Sequence, residues 1–229
     1  MKRIIFLILL SSILFPGCVR TFFPGYFYSS PAPLNIESRN NAGIKNTYSG
    51  FDVQNPIIEY DNESIYSIRG RYIKSYTGSA GSISSGLSAY AGLFDIRNEG
   101  NSVENYFGIG PELNGALMLP LGRFKMGIGM NIFANVELGS YYFFRREKNQ
   151  GFPLNLYVSL FPVFSYEFEN DYVLSFQTNL GTPGGISPMI SINMGNDIFW
   201  LGWRPMRWDH EYINLERVGH LSIGYMFKI

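Results

Sequence analysis

A long stretch in the middle of the chain alternates between apolar and polar side chains. From Phe124 to Leu138 every even position is apolar, and the positions between them hold Lys, Gly, Asn and Glu with a single Phe. Successive side chains of a β-strand point to opposite faces of a sheet, so a period of two sustained over this length predicts a strand. We expect this strand to cover residues 123–144, because the run ends in four aromatic side chains.

The same period of two recurs along the chain, whereas no 3.6-residue helical period and no internal repeat stand out. Further strands are predicted at 154–168, 172–180, 186–194 and 220–229, with weaker runs at 86–96, 105–119 and 197–203 and a pair with polar faces at 56–60 and 65–76. The sequence therefore indicates an all-β protein.

Connections of two kinds separate these runs. Tight turns are predicted at 120–123, 169–172 and 194–197, and longer connections at 145–152, 181–185 and 204–217. Short and long connections alternate in this way in up-and-down outer-membrane barrels. We therefore predict an antiparallel up-and-down β-barrel of about 8–10 strands over residues 56–229. An even number of strands would put both ends of the barrel on the short-turn side.

The two faces of the predicted strands differ in size and polarity. The apolar face of 124–138 is bulky and uncharged, whereas the opposite face is rich in Gly and Asn. Small residues are a poor solvent-exposed surface for a strand, but inside a narrow barrel they leave room for polar neighbours. Aromatic residues cluster near strand ends, as in the girdles at membrane interfaces. These residues are Tyr141, Tyr142, Phe143, Phe144, Tyr166, Phe168, Trp200 and Trp203.

In this pattern the chain resembles the small bacterial outer-membrane β-barrels. The resemblance implies apolar faces that look outward into lipid. The alternative is a soluble β-barrel or sandwich whose apolar face points inward.

The N-terminus has the features of a bacterial signal peptide. Lys2 and Arg3 precede an apolar run that ends at Phe15, and this run is shorter than the roughly 20 residues that a membrane helix needs. The ending Pro16-Gly17-Cys18 resembles the lipobox of bacterial lipoproteins, although Phe15 and Pro16 depart from its usual residues.

The resemblance implies that residues 1–17 are removed and that Cys18 carries the lipid, with palmitate-type acyl chains. In the alternative interpretation, the protein is secreted and Cys18 has no role. Residues 18–55 are predicted to form an irregular tether, and a lipidated Cys18 would then emerge on the short-turn side of the barrel.

The composition argues against several kinds of ligand. Lys plus Arg and Asp plus Glu both number 18, so no net basic field attracts nucleic acid. The single cysteine and the two isolated histidines, His210 and His220, do not form a metal-ligand pattern. Neither a metal centre nor a cofactor is predicted. The expected partner is outer-membrane lipid, because charged residues are few and aromatic residues many.

Charged residues on the polar faces are candidates for the barrel interior. In a narrow lumen opposite charges must pair or line water, since an unpaired buried charge costs several kcal/mol. A salt-bridged plug is the favoured interpretation, and a selective pore or a small polar ligand site is the alternative. The candidates are Arg69, Arg71, Glu112, Lys125, Glu137 and Glu167.

The connection 204–217 is the second candidate site, since Arg and Trp are common anchors of binding surfaces. It could bind a surface partner, a sugar or a lipid headgroup, or it could fold over the barrel mouth. No catalytic residue is predicted, because no serine is visibly paired with His210 and its acidic neighbours. The candidates are Trp203, Arg204, Arg207, Trp208, Asp209 and His210.

These observations favour a lipidated outer-membrane barrel with a structural or surface-interaction role. Two alternatives stay open. One is an outer-membrane enzyme that modifies lipids near the connection 204–217. The other is a soluble periplasmic lipoprotein whose barrel binds an apolar ligand.

Overall fold

A computed structural model describes residues 31, 33–38, 43–58, 63–96, 102–182, 185–208 and 215–229. At 56–58, 63, 96, 182, 185, 205–208 and 215–218 only the backbone is described. The predicted signal peptide, Cys18, Asp209 and His210 lie outside the described residues.

Ten antiparallel strands form one closed barrel, in which each strand pairs with its neighbours along the chain and β1 pairs with β10. The predicted all-β up-and-down barrel is confirmed. The strands are β1 (Lys45–Ile58), β2 (Glu63–Thr77), β3 (Gly81–Ile96), β4 (Ser102–Leu121), β5 (Phe124–Leu138), β6 (Leu154–Glu167), β7 (Val173–Thr182), β8 (Gly185–Asn193), β9 (Asp197–Trp208) and β10 (Leu215–Lys228), and one helix, α1 (Ser140–Glu147), follows β5. Within the described ranges no helix is long and apolar enough to cross a membrane.

The two ends of the barrel differ in their connections. The strands at the short-turn end are joined by residues 78–80, 122–123, 168–172 and 194–196. Both termini of the sheet lie at this end, because Tyr48 near the start of β1 pairs with Lys228 at the end of β10. The connections at the opposite end, called here the long-connection end, are 59–62, 97–101, 139–153, 183–184 and 209–214. The predicted contrast between longer and shorter connections is therefore clearest at 139–153. The connection 183–184 is as short as the turns at the other end.

The apolar face of the strands points outward and the polar face lines the lumen. Ile128 is 71% exposed, whereas Asn131 and Asn135 on the opposite face are each 1% exposed. The interior is therefore polar and the outer surface is apolar. The alternative of a soluble barrel with an apolar interior is wrong for this chain.

Several predicted boundaries differ from the structure. The barrel begins at Lys45 rather than residue 56, because the alternating residues Phe51, Asp52, Val53 and Gln54 already belong to β1. The connection predicted at 204–217 shrinks to 209–214. Its flanking residues continue the ladder, with Trp208 opposite Leu215, because backbone pairing between strands does not require apolar side chains.

The predicted strand 123–144 ends at Leu138, and a helix follows it. Gly139 adopts φ 114°, a conformation that suits glycine and ends the strand. In the helix, Tyr141 and Arg145 are four residues apart and share one face, and both are buried in the lumen. The aromatic residues at 141–144 therefore belong to a helix and do not form a girdle on β5. Trp200 also faces inward and is 3% exposed.

Large aromatic side chains lie against inward-facing glycines of adjacent strands. Tyr106 covers Gly92, and Trp200 covers Gly224, and in both pairs the two residues are cross-strand partners. A methyl group on either glycine would overlap the aromatic ring. The glycines thus allow wide rings to fit inside a narrow barrel.

This packing predicts that Gly224→Ala destabilises the barrel by about 1–3 kcal/mol, because overpacking displaces the Trp200 ring. Urea unfolding in lipid vesicles, followed by tryptophan fluorescence, measures the change. Gly70→Ala is the matched control, since Gly70 faces outward with no atom within 4 Å of a new methyl group. Equal unfolding free energies for the two variants would contradict the packing argument.

Candidate functional site

Two buried ion pairs lie on the inner wall of the lumen. The Nε of Arg69 on β2 donates to Oδ2 of Asp52 on β1 at 2.7 Å, and the two residues are cross-strand partners. Arg71 on β2 reaches over β3 to pair with Glu112 on β4, and the Ser88 hydroxyl also donates to Glu112. All four charged side chains are nearly inaccessible to solvent. The pairs tie β1, β2, β3 and β4 together from the inside.

A third buried ion pair fixes helix α1 inside the long-connection end. Nη2 of Arg145 donates to Oε1 of Glu137 at 2.6 Å. The Tyr90 hydroxyl lies 3.0 Å from the other oxygen of Glu137 and 2.7 Å from Oδ1 of Asn135. The guanidinium of Arg145 also lies 5.5 Å from the ring centre of Tyr141, a cation–π contact.

An aromatic cluster fills the lumen beside this ion pair. The rings of Phe94 and Tyr141 stack with their centres 4.5 Å apart, and both side chains are fully buried. Together with α1, the cluster forms what we call the long-end closure. Its buried members are Ile65, Tyr90, Phe94, Tyr106, Phe133, Tyr141 and Tyr157.

Residues 33–38, called here the plug segment, lie inside the short-turn end of the lumen. The segment has no regular secondary structure, and its apolar and polar side chains have different partners. Leu34 and Ile36 pack against an apolar patch that includes Ala116, Phe161 and Val163. Burial of a side chain of this size stabilises a fold by about 1.5–3 kcal/mol.

Side chains of the barrel wall satisfy the backbone of the plug segment, although no strand pairs with it. The Leu34 N–H donates to Gln177 Oε1 at 2.9 Å, and the Asn35 carbonyl accepts from the Ser82 hydroxyl at 2.6 Å. The Ile36 carbonyl accepts from Asn193 Nδ2 at 3.1 Å. Buried backbone groups must find partners, so these contacts make the polar inner wall a binding surface for an extended peptide.

Glu37 is the polar centre of the plug segment. Its Oε1 accepts hydrogen bonds from the Tyr48 hydroxyl at 2.6 Å and from Asn46 Nδ2 at 2.8 Å. Its backbone carbonyl accepts from Lys125 Nζ at 3.4 Å, and Lys125 lies 3.6 Å from Glu167. The segment is thus attached both to the start of β1 and to the hairpin of β5 and β6.

The plug segment runs out of the lumen toward the short-turn end. Leu34 contacts Gln177, four residues beyond the start of β7, whereas Glu37 contacts Thr77 at the last position of β2. Leu34 therefore lies deeper in the lumen than Glu37.

The six predicted interior charges all lie on the inner side of the wall. Arg69, Arg71, Glu112 and Glu137 are in closed pairs, and the side chains of Lys125 and Glu167 are 11% and 12% exposed. Sequence reasoning missed three of their partners. Asp52 shares a strand face with Gln54, Arg145 lies four residues after Tyr141, and Glu37 alternates with Leu34 and Ile36, so each had a weak local signal.

The predicted interaction residues near 203–210 do not share one surface in the described part of the chain. Trp203 is 47% exposed on the outer face, whereas Arg204 is buried in the lumen, because neighbouring residues of β9 point to opposite sides. Arg207 and Trp208 belong to β9, and only their backbone is described. A role for Asp209 and His210 stays a prediction, as does the lipid-modifying enzyme.

A row of small polar residues crosses the inner wall between the two closures. Ser84, Asn114, Asn131 and Ser159 are cross-strand neighbours from β3 to β6. Each is buried and keeps a polar side-chain atom without a partner among the described residues. Ordered water usually satisfies such atoms, so this row is where the lumen can hold water.

Comparisons with known proteins find likenesses in fold alone. No protein-family model and no curated protein match the chain. The beta domain of the Bordetella autotransporter BrkA is 7% identical, with a TM-score of 0.45 and coverage of 81% of this chain and 99% of that one. OprG from Pseudomonas aeruginosa is 12% identical, with a TM-score of 0.39 and coverage of 82% and 96%. An outer membrane channel from Pseudomonas putida F1 is 8% identical, with a TM-score of 0.41 and coverage of 87% and 100%. At these identities no function passes from those proteins to this chain.

Removal of one residue of the Arg71–Glu112 ion pair should destabilise the barrel far more than removal of both. Glu112→Leu leaves Arg71 charged and buried, so we expect a loss of about 3–5 kcal/mol of unfolding free energy. The double variant Arg71→Met/Glu112→Leu should recover most of this loss. Urea unfolding in lipid vesicles completes the double-mutant cycle.

The surface pair Arg123–Glu169 is the control for this cycle, since its side chains are 53% and 82% exposed. Arg123→Ala should change the unfolding free energy by less than about 1 kcal/mol. Additive losses for Arg71 and Glu112 would contradict a coupled pair.

Proposed function

We propose that this protein is a bacterial outer-membrane β-barrel with a lumen closed at both ends, and that it acts as a lipid-anchored structural or surface-interaction protein. The barrel fixes the chain in the membrane. The connections of the long-connection end are the part that it presents to its surroundings.

The apolar outer surface supports the membrane location. Leu117, Ile128 and Leu156 are 80%, 71% and 61% exposed, which is unfavourable in water and favourable in acyl chains. Aromatic side chains also surround the short-turn end on the outside, as expected for a membrane interface. They are Tyr72, Tyr76, Phe124, Tyr166, Phe168, Tyr172, Phe199, Tyr225 and Phe227.

The closed lumen is the observation that favours an anchor over a pore. The plug segment and its hydrogen bonds occupy the short-turn end, and the long-end closure with the Glu137–Arg145 pair occupies the other. Buried ion pairs lie along the inner wall between them. An open channel would need both closures to open.

The sequence around Cys18 supports the lipid anchor. Gly17 and Cys18 follow a basic and apolar N-terminal run, as in lipoprotein precursors. Two membrane attachments, an acyl chain and a barrel, would then hold the same chain.

The closed lumen predicts that the purified barrel gives no stable open level in planar lipid bilayers. A variant without residues 33–38 should also stay silent, because the long-end closure remains. Removal of both residues 33–38 and residues 140–147 should produce steady conductance. Heat-modifiable migration on gels verifies that each variant forms a barrel, and steady conductance by the wild type would exclude the closed anchor.

The lipid anchor predicts that cells fed an alkyne analogue of palmitate label the wild-type protein but not Cys18→Ala. Gel fluorescence after dye coupling measures the label. Cys18 is the only cysteine of the chain, so no second thiol confuses the result. We expect both proteins to remain in the membrane fraction, because the barrel holds each of them. Equal labelling would show that the acyl chain is not on Cys18.

A further inference from the structure

Within the part of the barrel whose side chains are described, one charged residue lies on the outer face away from the strand ends. Lys74 is exposed on the outward face of β2, three residues before the strand ends at Thr77. Among the outward side chains that the structure describes, the other charged residues, Lys45, Asp95 and Asp197, are at the first or next-to-last position of their strands. A lysine on the lipid-facing side costs about 2–4 kcal/mol at the bilayer midplane and about 0–1 near the interface.

Lys74 has no ion-pair partner among the described residues. The exposed rings of Tyr72 and Tyr76 lie on either side of it along β2, which places it at the level of the interfacial aromatic residues. The flexible stem of a lysine at this level lets the ammonium reach the headgroups. A negative charge from outside the chain would therefore complete the site.

Hydroxyl groups lie on both sides of Lys74. Thr47 on β1 and Ser85 on β3 are its direct cross-strand partners, and both face outward. Directly opposed residues have Cβ atoms about 4.5–5.5 Å apart, so one small group can contact all three side chains. An ammonium between two hydroxyl donors matches the oxygens of a phosphate.

Apolar grooves on the outer surface begin at this row. One groove of about 600 Å³ is lined by Lys74, Ser85, Leu113 and Ile132, among others. A second groove of about 770 Å³ shares Leu113 and continues past Gly115 toward the turn 78–80. Volumes of about 300–1,000 Å³ are typical of ligand sites. Gly115 has no side chain, so the second groove is deep enough at this point to hold an acyl chain.

We propose that this surface binds one anionic glycerophospholipid, with its phosphate on Lys74, Thr47 and Ser85 and an acyl chain in the grooves that meet at Leu113. The charge decides the class of lipid, because a net negative headgroup neutralises Lys74, whereas a zwitterionic one brings a competing ammonium. The proposal rests on the proposed membrane location and adds a specific lipid to it.

Native mass spectrometry of the full-length protein in detergent tests the headgroup. Equal amounts of phosphatidylglycerol and phosphatidylethanolamine with identical acyl chains compete for the barrel. We expect the wild type to retain phosphatidylglycerol several-fold more often. Lys74→Gln should lose the preference, and Lys74→Arg should keep it. Arg123→Gln, a control in the turn between β4 and β5 at the same end of the barrel, should also keep it.

A second pair of variants tests the groove while Lys74 stays in place. A new Cβ at Gly115 has no neighbour closer than 3.7 Å, so Gly115→Leu places a bulky side chain in the groove and should lower phosphatidylglycerol retention several-fold. Gly70→Leu adds the same side chain to the outward face outside the groove and should leave retention unchanged.

Equal retention of the two lipids by the wild type, or an unchanged preference in Lys74→Gln, would overturn the lipid site. Unchanged retention in Gly115→Leu would overturn the groove. Failure of the proposed membrane location would appear separately, as a wild-type barrel that does not insert into vesicles.

Discussion

The polar inner wall of a narrow barrel must satisfy its own charges, and this requirement organises the rest of the structure. Water has little access to Arg71, Glu112, Arg69 and Asp52, so each charge needs its partner within reach. The partners lie on neighbouring strands or on the next strand but one. Pairing therefore specifies the register of β1 to β4 from the inside, while the hydrogen-bond ladder specifies it locally.

The same requirement explains why both ends of the lumen are filled from within the chain. At the long-connection end a charged residue of the wall, Glu137, finds its cation on a helix that folds inward. At the short-turn end amide and hydroxyl side chains of the wall find the backbone of the plug segment. Each closure is a peptide that supplies the hydrogen-bond partners that the wall would otherwise lack.

The sequence predicts the barrel well because one rule governs most of it. Apolar residues face outward and polar residues face inward, so a period of two identifies both the strands and their faces, as at Ile128 and Asn131. The rule does not apply to segments that are not strands of the barrel wall. The aromatic residues after Leu138 extend the apolar pattern but fold as a helix, since the buried positions Tyr141 and Arg145 are four apart. The plug segment escapes prediction because side chains, not a neighbouring strand, satisfy its backbone. The alternating pattern predicts that Arg71 and Glu112 each face inward. It cannot predict that they pair, because they lie on different strands that are far apart in the sequence.

The path of the plug segment has a consequence for assembly. Glu37 and Gly43 both donate a backbone hydrogen bond to Thr77, and β1 begins two residues after Gly43, so the cylinder encloses residues 33–38 of its own chain. Before the barrel closes, β1 and β10 are the two free edges of the ten-stranded sheet. This enclosure forms most simply if residues 33–38 bind the curved sheet first and β1 pairs with β10 afterwards. Pairing of β1 with β10 would then close a sheet that already holds its contents.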